Sequence, residues 1–333
     1  MVAFLFAIFF LCSIFFTACE EPSVNNQNFK IMNWNVQALM DLNIDGSEFS
    51  DFSLGEYDRE TYRRRIRKVC DVIDDIDAQV VILEEVENSN VLKDMIDMYL
   101  GRRGYIYYGS IKEEDSAISI GFISKIKATN IQIHSVKDSR SVLSLDYECL
   151  GDTIRILACH GKSQIGGFEQ TEEERINLSK TLKRIIDDSE GMNIICVGDF
   201  NEDPNINANF QTALYNIDRD NAFFYRNNGS LLLSSSKYNL FKDILYSPQL
   251  DNSLNLSKKG TYMYNNTWYN FDLFLLNNYF FDQNSVEYKD FDIYSPQKIS
   301  TSSGTPYKWE SSMLCGISDH FPIYLTIKCN KYE

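Results

Sequence analysis

Residues 194–201 read Ile-Ile-Cys-Val-Gly-Asp-Phe-Asn, an apolar run followed by a polar turn. Its first four residues are apolar and largely β-branched, which is typical of a short strand buried within a sheet. A turn follows at once and carries Asp199 and Asn201. Because the apolar part fixes the position of the strand end, polar side chains placed there are held rigidly and suit a functional site. The stretch therefore predicts an α/β fold with its chemistry at the ends of strands.

Further strand-like runs are spread over the whole chain. They are Phe29–Val36, Val80–Glu85, Ile118–Ile123, Val142–Tyr147, Ile154–Cys159, Phe271–Leu276 and Phe321–Ile327. Two apolar stripes with helical spacing lie between them, made of Tyr62, Ile66, Val69, Ile73 and Ile76 in one case and of Leu178, Leu182 and Ile185 in the other. Residues 150–153, Leu-Gly-Asp-Thr, predict a tight hairpin turn, so antiparallel pairs accompany strand–helix–strand units. The pattern predicts one mixed α/β domain.

The composition is that of a globular protein. Apolar residues make up 44% of the 333 and charged residues 24%, which excludes a disordered chain, collagen and a coiled coil. The length fits two domains or one large α/β domain. Asp and Glu total 47 against 32 Lys and Arg, and the net charge of −15 excludes a long basic arm. A local basic cluster is still compatible with this charge, because fields are screened beyond about 8 to 10 Å in physiological salt.

The N-terminus is typical of an exported protein. Residues 2–18 are uncharged and rich in Phe, Leu and Ile, but they fall short of the roughly 20 that a membrane helix needs. The Phe-Thr-Ala-Cys that ends at Cys19 resembles a bacterial lipoprotein cleavage box. A lipid on Cys19 would anchor the protein in the outer membrane, facing the periplasm or the cell surface; cleavage by ordinary signal peptidase and an uncleaved anchor are the alternatives. We expect a lipoprotein-type signal peptide at 1–19, a tether at 20–28 and the folded domain at 29–333.

The cysteines and histidines do not form a zinc site. Six cysteines follow Cys19, namely Cys70, Cys149, Cys159, Cys196, Cys315 and Cys329, and none belongs to a C-x-x-C pair. Only three histidines are available, which excludes the usual zinc spacings. Export permits disulfides, but Cys159 and Cys196 lie within apolar runs and are interpreted as small buried hydrophobic residues. We expect no catalytic thiol.

Acids, amides and histidines stand at the ends of several predicted strands. They are Asn35, Glu85, His160, Asp199 with Asn201, and Asp319 with His320, and Asp272 lies inside a sixth strand-like run. Taken singly, each has an ordinary explanation, since an acid such as Asp199 often caps a turn. As a set they offer many oxygen ligands, two imidazoles and no thiol. That combination suits Mg²⁺, which keeps several waters and accepts substrate phosphate oxygens.

Six motifs follow one another in a distinctive order. They are Asn33-Trp34-Asn35-Val36, Leu83-Glu84-Glu85-Val86-Glu87-Asn88, Cys159-His160-Gly161-Lys162-Ser163, Gly198-Asp199-Phe200-Asn201-Glu202-Asp203-Pro204, Gly260-Thr261-Tyr262 with Phe271-Asp272, and Ser318-Asp319-His320-Phe321-Pro322. Over residues 29–329 they resemble the endonuclease/exonuclease/phosphatase superfamily. The resemblance implies a DNase I-like α/β fold: a four-layer sandwich of two mixed β-sheets packed face to face with helices outside.

The resemblance also implies a role for each motif residue. Asn35, Glu85 and Asp319 match divalent-metal ligands, for Mg²⁺ with Mn²⁺ or Ca²⁺ as substitutes. His320 matches the catalytic histidine and Asp272 the acid that pairs with it. The remaining matches are Asp199 and Asn201, which orient water and phosphate, His160, which contacts a phosphate oxygen or serves the leaving group, and Arg140, a phosphate-contacting arginine.

The chain departs from the family pattern at several positions. Gln37 stands where many relatives have Asp and lowers the local negative charge, whereas Glu84 stands where Gln is usual and is expected to add some. Gly161-Lys162 replaces the Trp-Pro pair common in exported bacterial relatives, while Gly166-Gly167 and Arg175 fit that subgroup.

The sequence therefore predicts a magnesium-dependent phosphodiesterase, and in first place an exported nuclease that acts as a monomer on nucleic acid. The basic segments Arg59–Lys68 and Arg102-Arg103 would lie near a polyanion, or form a solvated helix face and a turn. A phosphatase or a sphingomyelin-type phospholipid phosphodiesterase would use the same site, with the aromatic segment Tyr262–Tyr269 as a lipid-facing hairpin or a core strand. An inactive binding lipoprotein ranks lowest, because no residue of the set is missing.

Overall fold

The computed structural model describes residues 25–44, 46, 48–53, 57–114, 116–205, 212–218 and 229–331. The expected signal peptide, Cys19 and residues 20–24 of the expected tether lie outside the described residues. Within the described part, no helix is both long and apolar enough to span a membrane.

Two large mixed sheets form the body of the protein. The strands of the first sheet are β1 (Asn25–Leu39), β2 (Val80–Val86), β3 (Tyr107–Lys112), β4 (Ser119–Ser124), β15 (Val286–Ile293) and β16 (Ile323–Lys331). The strands of the second are β5 (Asn130–Val136), β6 (Ser139–Cys149), β7 (Asp152–His160), β8 (Asn193–Asp199), β9 (Leu214–Asn216), β10 (Leu231–Ser234), β11 (Ile244–Tyr246) and β14 (Asp272–Leu276). The strand orders are β15-β16-β1-β2-β4-β3 and β5-β6-β7-β8-β14-β11-β10-β9, and β12 (Tyr262–Tyr264) and β13 (Thr267–Tyr269) form a separate hairpin.

The helices lie on the outer faces of the sheets. They are α1 (Ser50–Ser53), α2 (Arg59–Ile76), α3 (Ser89–Met95) and α4 (Glu172–Asp187), with a π-helical turn at Ile96–Leu100. Helices α2 and α3 pack against the first sheet and α4 against the second. The inner faces of the sheets share one apolar core, and the apolar residues of α4 form a second core with the outer face of their sheet. The predicted four-layer α/β sandwich is confirmed.

Local sequence accounts for most of these elements. Each predicted strand is present, and both predicted apolar stripes are buried on α2 and α4. Helix α2 begins where Asp58 accepts a hydrogen bond from the backbone N–H of Thr61 at 2.8 Å, and it ends at Asp77, whose φ of 54° is left-handed. The predicted turn is a two-residue hairpin with positive φ at both Leu150 and Gly151, which matches the twist of the flanking strands.

Strand β1 begins earlier than the sequence predicted. Residues 25–28, assigned above to the tether, pair with β16, from Asn25 opposite Lys331 to Asn28 opposite Lys328. Their side chains are polar, so the apolar periodicity that marks a buried strand is absent. Backbone pairing with a distant part of the chain extends the strand over these four residues.

The topology brings several strand ends to one edge of the sandwich. Strands β1 and β2 run parallel, as do β7 and β8, so their carboxyl ends share an edge. In the second sheet His160 pairs with Asp199, and Asp199 pairs with Asp272, the first residue of the antiparallel strand β14. Close approach of β7 and β8 requires Gly198, because a Cβ there would lie 1.8 Å from the Cys159 carbonyl oxygen. The turn at residues 198–201 thus places Asp199 at the edge.

A disulfide between Cys149 and Cys329 links the two sheets, joining β6 to β16 across a sequence separation of 180. Cys159 and Cys196 are free and buried, as expected. The crosslink closes a long loop, so it should limit the conformational freedom of the unfolded chain.

We expect reduction of this disulfide, or the Cys149→Ala/Cys329→Ala double variant, to lower the free energy of unfolding by about 2 to 5 kcal/mol. Urea unfolding followed by circular dichroism, with and without reductant, measures this. Cys196→Ala is the control. It keeps the disulfide, so reductant should lower its free energy of unfolding by the same amount as in the wild-type protein. Equal unfolding midpoints for oxidised and reduced wild-type protein would contradict the prediction.

Candidate active site

A buried acid–histidine pair lies at the centre of the edge. The Oδ2 atom of Asp272 lies 2.7 Å from Nδ1 of His320, and both side chains are buried. The backbone of His320 is held from two sides, because its carbonyl accepts a hydrogen bond from Trp34 Nε1 at 2.9 Å and its N–H donates to Ser318 Oγ at 3.1 Å. Ser318 Oγ in turn donates to the Asn35 carbonyl at 2.6 Å. Strand β1 therefore fixes the histidine, and Asp272 fixes its ring.

The charge of His320 follows from its neighbours. Burial lowers the pKa of its imidazole, but the carboxylates of Asp272, Asp199 and Asp319 outweigh burial and raise that pKa well above the ordinary value. His320 is therefore a cation near neutral pH. A buried cation at this position can stabilise negative charge on a bound group.

Asp199 lies between the two histidines of the site. Its Oδ2 is 3.9 Å from Nε2 of His320 and 3.9 Å from Nε2 of His160, and it accepts a hydrogen bond from Asn35 Nδ2 at 3.0 Å. Its Oδ1 accepts from the backbone N–H of Asn201 at 2.8 Å. Burial raises the pKa of Asp199 to about 7, with His320 acting in the opposite direction. A carboxylate with this pKa is suited to accept a proton near neutral pH.

Asn35 and Glu85 form the more open side of the site. Asn35 Nδ2 lies 3.0 Å from Glu85 Oε1, and the other carboxylate oxygen of Glu85 accepts from the backbone N–H of Ala38 at 3.0 Å. Asn35 Oδ1 accepts from the backbone N–H of Gln37, also at 3.0 Å. Glu85 is in a bulge of β2, where its φ is 62° and the register with both neighbours shifts. The bulge places its carboxylate at the same edge as Glu84.

The donor set of Asn35, Glu85 and Asp319 fits a divalent cation. Burial and the carboxylate of Asp319 raise the pKa of Glu85, and burial raises the pKa of Asp319 against the opposing charge of His320. A cation between these acids would relieve the cost of keeping both ionised. Their side chains are 24% and 31% exposed, which leaves room for the waters that Mg²⁺ retains.

A second grouping, Asp199, Asp272 and His320, offers ligand atoms within 4.8 Å of one another. These three side chains are almost wholly buried. The short bond between Asp272 and His320 already uses one atom of each. That bond leaves Asp272 Oδ1 and His320 Nε2 as ligand atoms, so this grouping could also hold a metal ion. Glu85 and Asp319 are more exposed than these three side chains and leave more room for the waters that Mg²⁺ retains.

His160 is buried and uncharged, because burial and then the charge of Arg140 lower its pKa well below the ordinary value. Its Nε2 lies 3.9 Å from Glu85 Oε1. Asn201 Nδ2 and Arg140 Nη1 each donate to the Gly161 carbonyl at 3.2 Å. Both residues, expected above to contact phosphate, thus hold the segment that follows His160.

The structure shows the surroundings of two of the sequence departures, Gln37 and Glu84. Gln37 Nε2 donates to the Trp309 carbonyl at 3.1 Å, and its Oε1 accepts from the Trp309 N–H at 2.7 Å, so Gln37 ties β1 to the segment before β16. Glu84 is fully buried and neither carboxylate oxygen has a hydrogen-bond partner. Burial, followed by repulsion from Asp272 and Asp199, raises its pKa well above the ordinary value. Burial therefore opposes the negative charge that Glu84 was expected to add.

Tyr262 is a site residue that the sequence analysis named within a motif and an aromatic segment but did not place beside the histidine. Its ring centroid lies 4.8 Å from that of His320, and it also stacks on Phe271 at 5.3 Å. The segment Tyr262–Tyr269 is a short hairpin rather than a core strand, and Tyr264 is 57% exposed. The Gly-Thr-Tyr motif was the available signal, but only the fold places this ring against the histidine.

Arg64 and Arg103 of the basic segments contact parts of the chain away from the site, whereas Arg65 is buried. Arg103 pairs with Asp74 of α2, and Arg64 donates to the Leu314 carbonyl at 3.1 Å. Neither contact involves the acid and histidine cluster. The solvated-face interpretation therefore accounts for these two arginines.

Comparisons with known proteins agree with this geometry. Residues 30–329 match the profile of the Endonuclease/Exonuclease/phosphatase family. No curated protein matches the sequence significantly. Among solved structures, humanized D. rerio TDP2 has 16% identity and a TM-score of 0.57 over 90% of this chain and 98% of its own. A Bacteroides thetaiotaomicron mannosyl-6-phosphatase has 14% identity and a TM-score of 0.55 over 90% of this chain and 99% of its own. The human Nocturnin catalytic domain has 14% identity and a TM-score of 0.51 over 94% of this chain and 98% of its own.

We expect Asp272→Asn to lower the pKa of His320, because the carboxylate that outweighs burial is removed. NMR titration of the His320 imidazole measures this shift. Since a raised folded-state pKa stabilises the protein at low pH and this stabilisation is lost as pH rises through that pKa, the variant should also lose stability on the acidic side. Asp290→Asn, at an exposed position, is the control. An unchanged imidazole pKa in Asp272→Asn would refute the assignment.

Proposed function

Because the chain belongs to the endonuclease/exonuclease/phosphatase family, we propose that it is a divalent-metal-dependent phosphodiesterase that cleaves nucleic acid after export. Members of this family are hydrolytic phosphoesterases. The observation that carries the proposal is the position of Asp199, whose Oδ2 is 3.9 Å from Nε2 of both His160 and His320. A protonatable carboxylate between a neutral and a charged imidazole is suited to in-line hydrolysis of a phosphate ester.

Each side chain has a part in this proposal. Asp199, with a pKa of about 7, orients the attacking water and accepts its proton. His320, kept charged by Asp272, stabilises negative charge on the phosphate oxygens, and neutral His160 hydrogen-bonds the phosphate or the leaving oxygen. A divalent cation held by Asn35, Glu85 and Asp319 would add positive charge against the same phosphate.

The aromatic hairpin supports nucleic acid as the substrate. Tyr262 lies beside His320, and Tyr264 exposes its ring to solvent on the same hairpin. Tyrosine faces next to a phosphate site can stack bases, and such stacking tolerates any sequence. The D. rerio TDP2 that shares this fold was crystallised with a single-stranded DNA product.

A second candidate is hydrolysis of a phosphorylated sugar or a phospholipid at the same site. One similar structure is a mannosyl-6-phosphatase. The net charge of −15 favours this candidate, because an acidic protein repels a polyanion more than a small phosphate ester. The exposed ring of Tyr264 serves a lipid or sugar as well as a base.

Export is part of the proposal. The uncharged N-terminus and the cysteine at position 19 support a lipoprotein anchored in the outer membrane, with the catalytic domain acting as a monomer. The disulfide between Cys149 and Cys329 supports an oxidising compartment, since structural disulfides persist there and are rare in a reducing cytosol.

We expect Glu85→Ala and His320→Ala each to lower kcat at least about 10²-fold with the fold intact, since each removes a group that stabilises developing charge. Initial rates on a phosphodiester, with circular dichroism spectra, measure this. The matched controls are Glu148→Ala, at an exposed site, and His134→Ala, on β5 outside the site. Wild-type rates in either site variant would exclude the assigned site.

A substrate panel tests the function itself. We expect the mature protein to cleave plasmid, single-stranded DNA or RNA with Mg²⁺ and not with a chelator, and to act poorly on p-nitrophenyl phosphate. Gel electrophoresis and phosphate release measure these reactions. Strict preference for the phosphomonoester, or for sphingomyelin vesicles, would favour the second candidate, and lack of cleavage of any nucleic acid would end the nuclease proposal.

A further inference from the structure

One arginine of helix α2 is buried behind the proposed cation site. Arg65 donates Nη2 to the Val36 carbonyl at 3.1 Å and Nη1 to the Ala38 carbonyl at 2.7 Å, and it also donates to the Gln37 carbonyl. The Trp309 ring centroid lies 4.3 Å from its guanidinium carbon. Three consecutive carbonyls and one aromatic face thus fix this side chain.

The three carbonyls belong to the segment that interrupts β1. Gln37 and Ala38 have φ of 50° and 52°, a left-handed conformation that side-chain-bearing residues rarely adopt without support. The pairing register of β1 with β2 shifts over the same residues. The surroundings must therefore hold this segment, and Arg65 supplies hydrogen bonds to each of its carbonyls.

The opposite sides of the same peptide groups hold two proposed metal ligands. The Val36–Gln37 peptide accepts from Arg65 through its carbonyl and donates through its N–H to Asn35 Oδ1 at 3.0 Å. The Gln37–Ala38 peptide accepts from Arg65 and donates to Glu85 Oε2 at 3.0 Å. In a trans peptide the C=O and N–H point in opposite directions, and a charged donor on the C=O polarises the N–H. Arg65 is therefore linked to both ligands through two peptide groups.

We infer that Arg65 is a positioning residue for the cation site: its fork of N–H groups sets the Val36–Ala38 segment so that the amides of Gln37 and Ala38 orient Asn35 and Glu85. The inference rests on the proposed function for the identity of the site. Lysine keeps the charge but lacks the planar fork that reaches several carbonyls at once. Arg65→Lys therefore removes the fork and keeps the charge, whereas Arg65→Met removes both.

The two effects have opposite signs for metal affinity. A positive charge near the ligands repels a cation, so removing charge alone would tighten binding. Losing the fork frees Asn35 and Glu85 to turn away and weakens binding. Because the peptides lie between Arg65 and the ligands, orientation should dominate over direct repulsion.

The test is Mn²⁺ binding to the purified protein, followed by calorimetry and by the electron paramagnetic resonance signal of free Mn²⁺. We expect Arg65→Lys to weaken Mn²⁺ affinity about tenfold, the lower end of the loss usual for residues that orient metal ligands. Arg65→Met should weaken it as much or more. Faster hydrogen exchange at the Gln37 and Ala38 amides in Arg65→Lys is the accompanying signature.

The control for a purely structural role is Arg155→Met, which removes a bidentate pair with Asp146 on β6 and β7. It should lower the unfolding temperature without changing Mn²⁺ affinity. Unchanged affinity in folded Arg65→Lys, or tighter binding in Arg65→Met, would overturn the inference. If Arg65→Met does not fold, Arg65→Lys decides alone, because it keeps the length and charge of the side chain.

The proposed site is tested separately with Glu85→Ala, which should abolish Mn²⁺ binding. Full binding in Glu85→Ala would show that the ion is held elsewhere and would refute the site and with it the role of Arg65. Loss of binding in Glu85→Ala with wild-type affinity in Arg65→Lys would refute the positioning role and leave the site intact.

Discussion

The side-chain amide of Asn35 joins the two sheets at the edge where the polar residues gather. Its Nδ2 lies 3.0 Å from Glu85 in the first sheet and 3.0 Å from Asp199 in the second. Away from this edge the inner faces of the two sheets meet through apolar side chains, whose contacts are not directional. Hydrogen bonds are directional, so the amide fixes how the sheet edges face each other. The positions of His160 and Asp272 then follow from their pairing with Asp199.

Burial of excess negative charge governs the chemistry of this edge. Five acids and two imidazoles lie together: Glu84, Glu85, Asp199, Asp272, Asp319, His160 and His320. Desolvation raises the pKa of Glu84 well above its ordinary value and brings that of Asp199 to about 7. The neighbouring carboxylates raise the pKa of His320 and favour its charged form, while burial and then the charge of Arg140 lower the pKa of His160 and keep it neutral. The same environment therefore gives a base in Asp199, a cation in His320 and a neutral imidazole in His160.

Sequence reasoning succeeded where the signal is local. The stripe on α2, the hairpin at Leu150-Gly151 and the strand ending in Asp199 each depend on residues close together in the chain. It did not anticipate the raised pKa of Glu84, because a motif position does not report desolvation. It placed the start of β1 too late, because residues 25–28 are strand only through pairing with β16. Gln37, read as a loss of charge, proved to bind Trp309.

Local sequence was enough to predict the succession of strands and helices and the residue types at the strand ends, since periodicity and motif order are properties of neighbouring residues. The packing of the whole chain was needed to show that Arg65 is buried against β1, that Asn201 and Arg140 share the Gly161 carbonyl, and that Cys149 bonds to Cys329. These contacts join residues that are far apart in the chain. The distances between the site side chains, their exposure and their pKa values depend on how the two sheets pack, and no local sequence pattern encodes them.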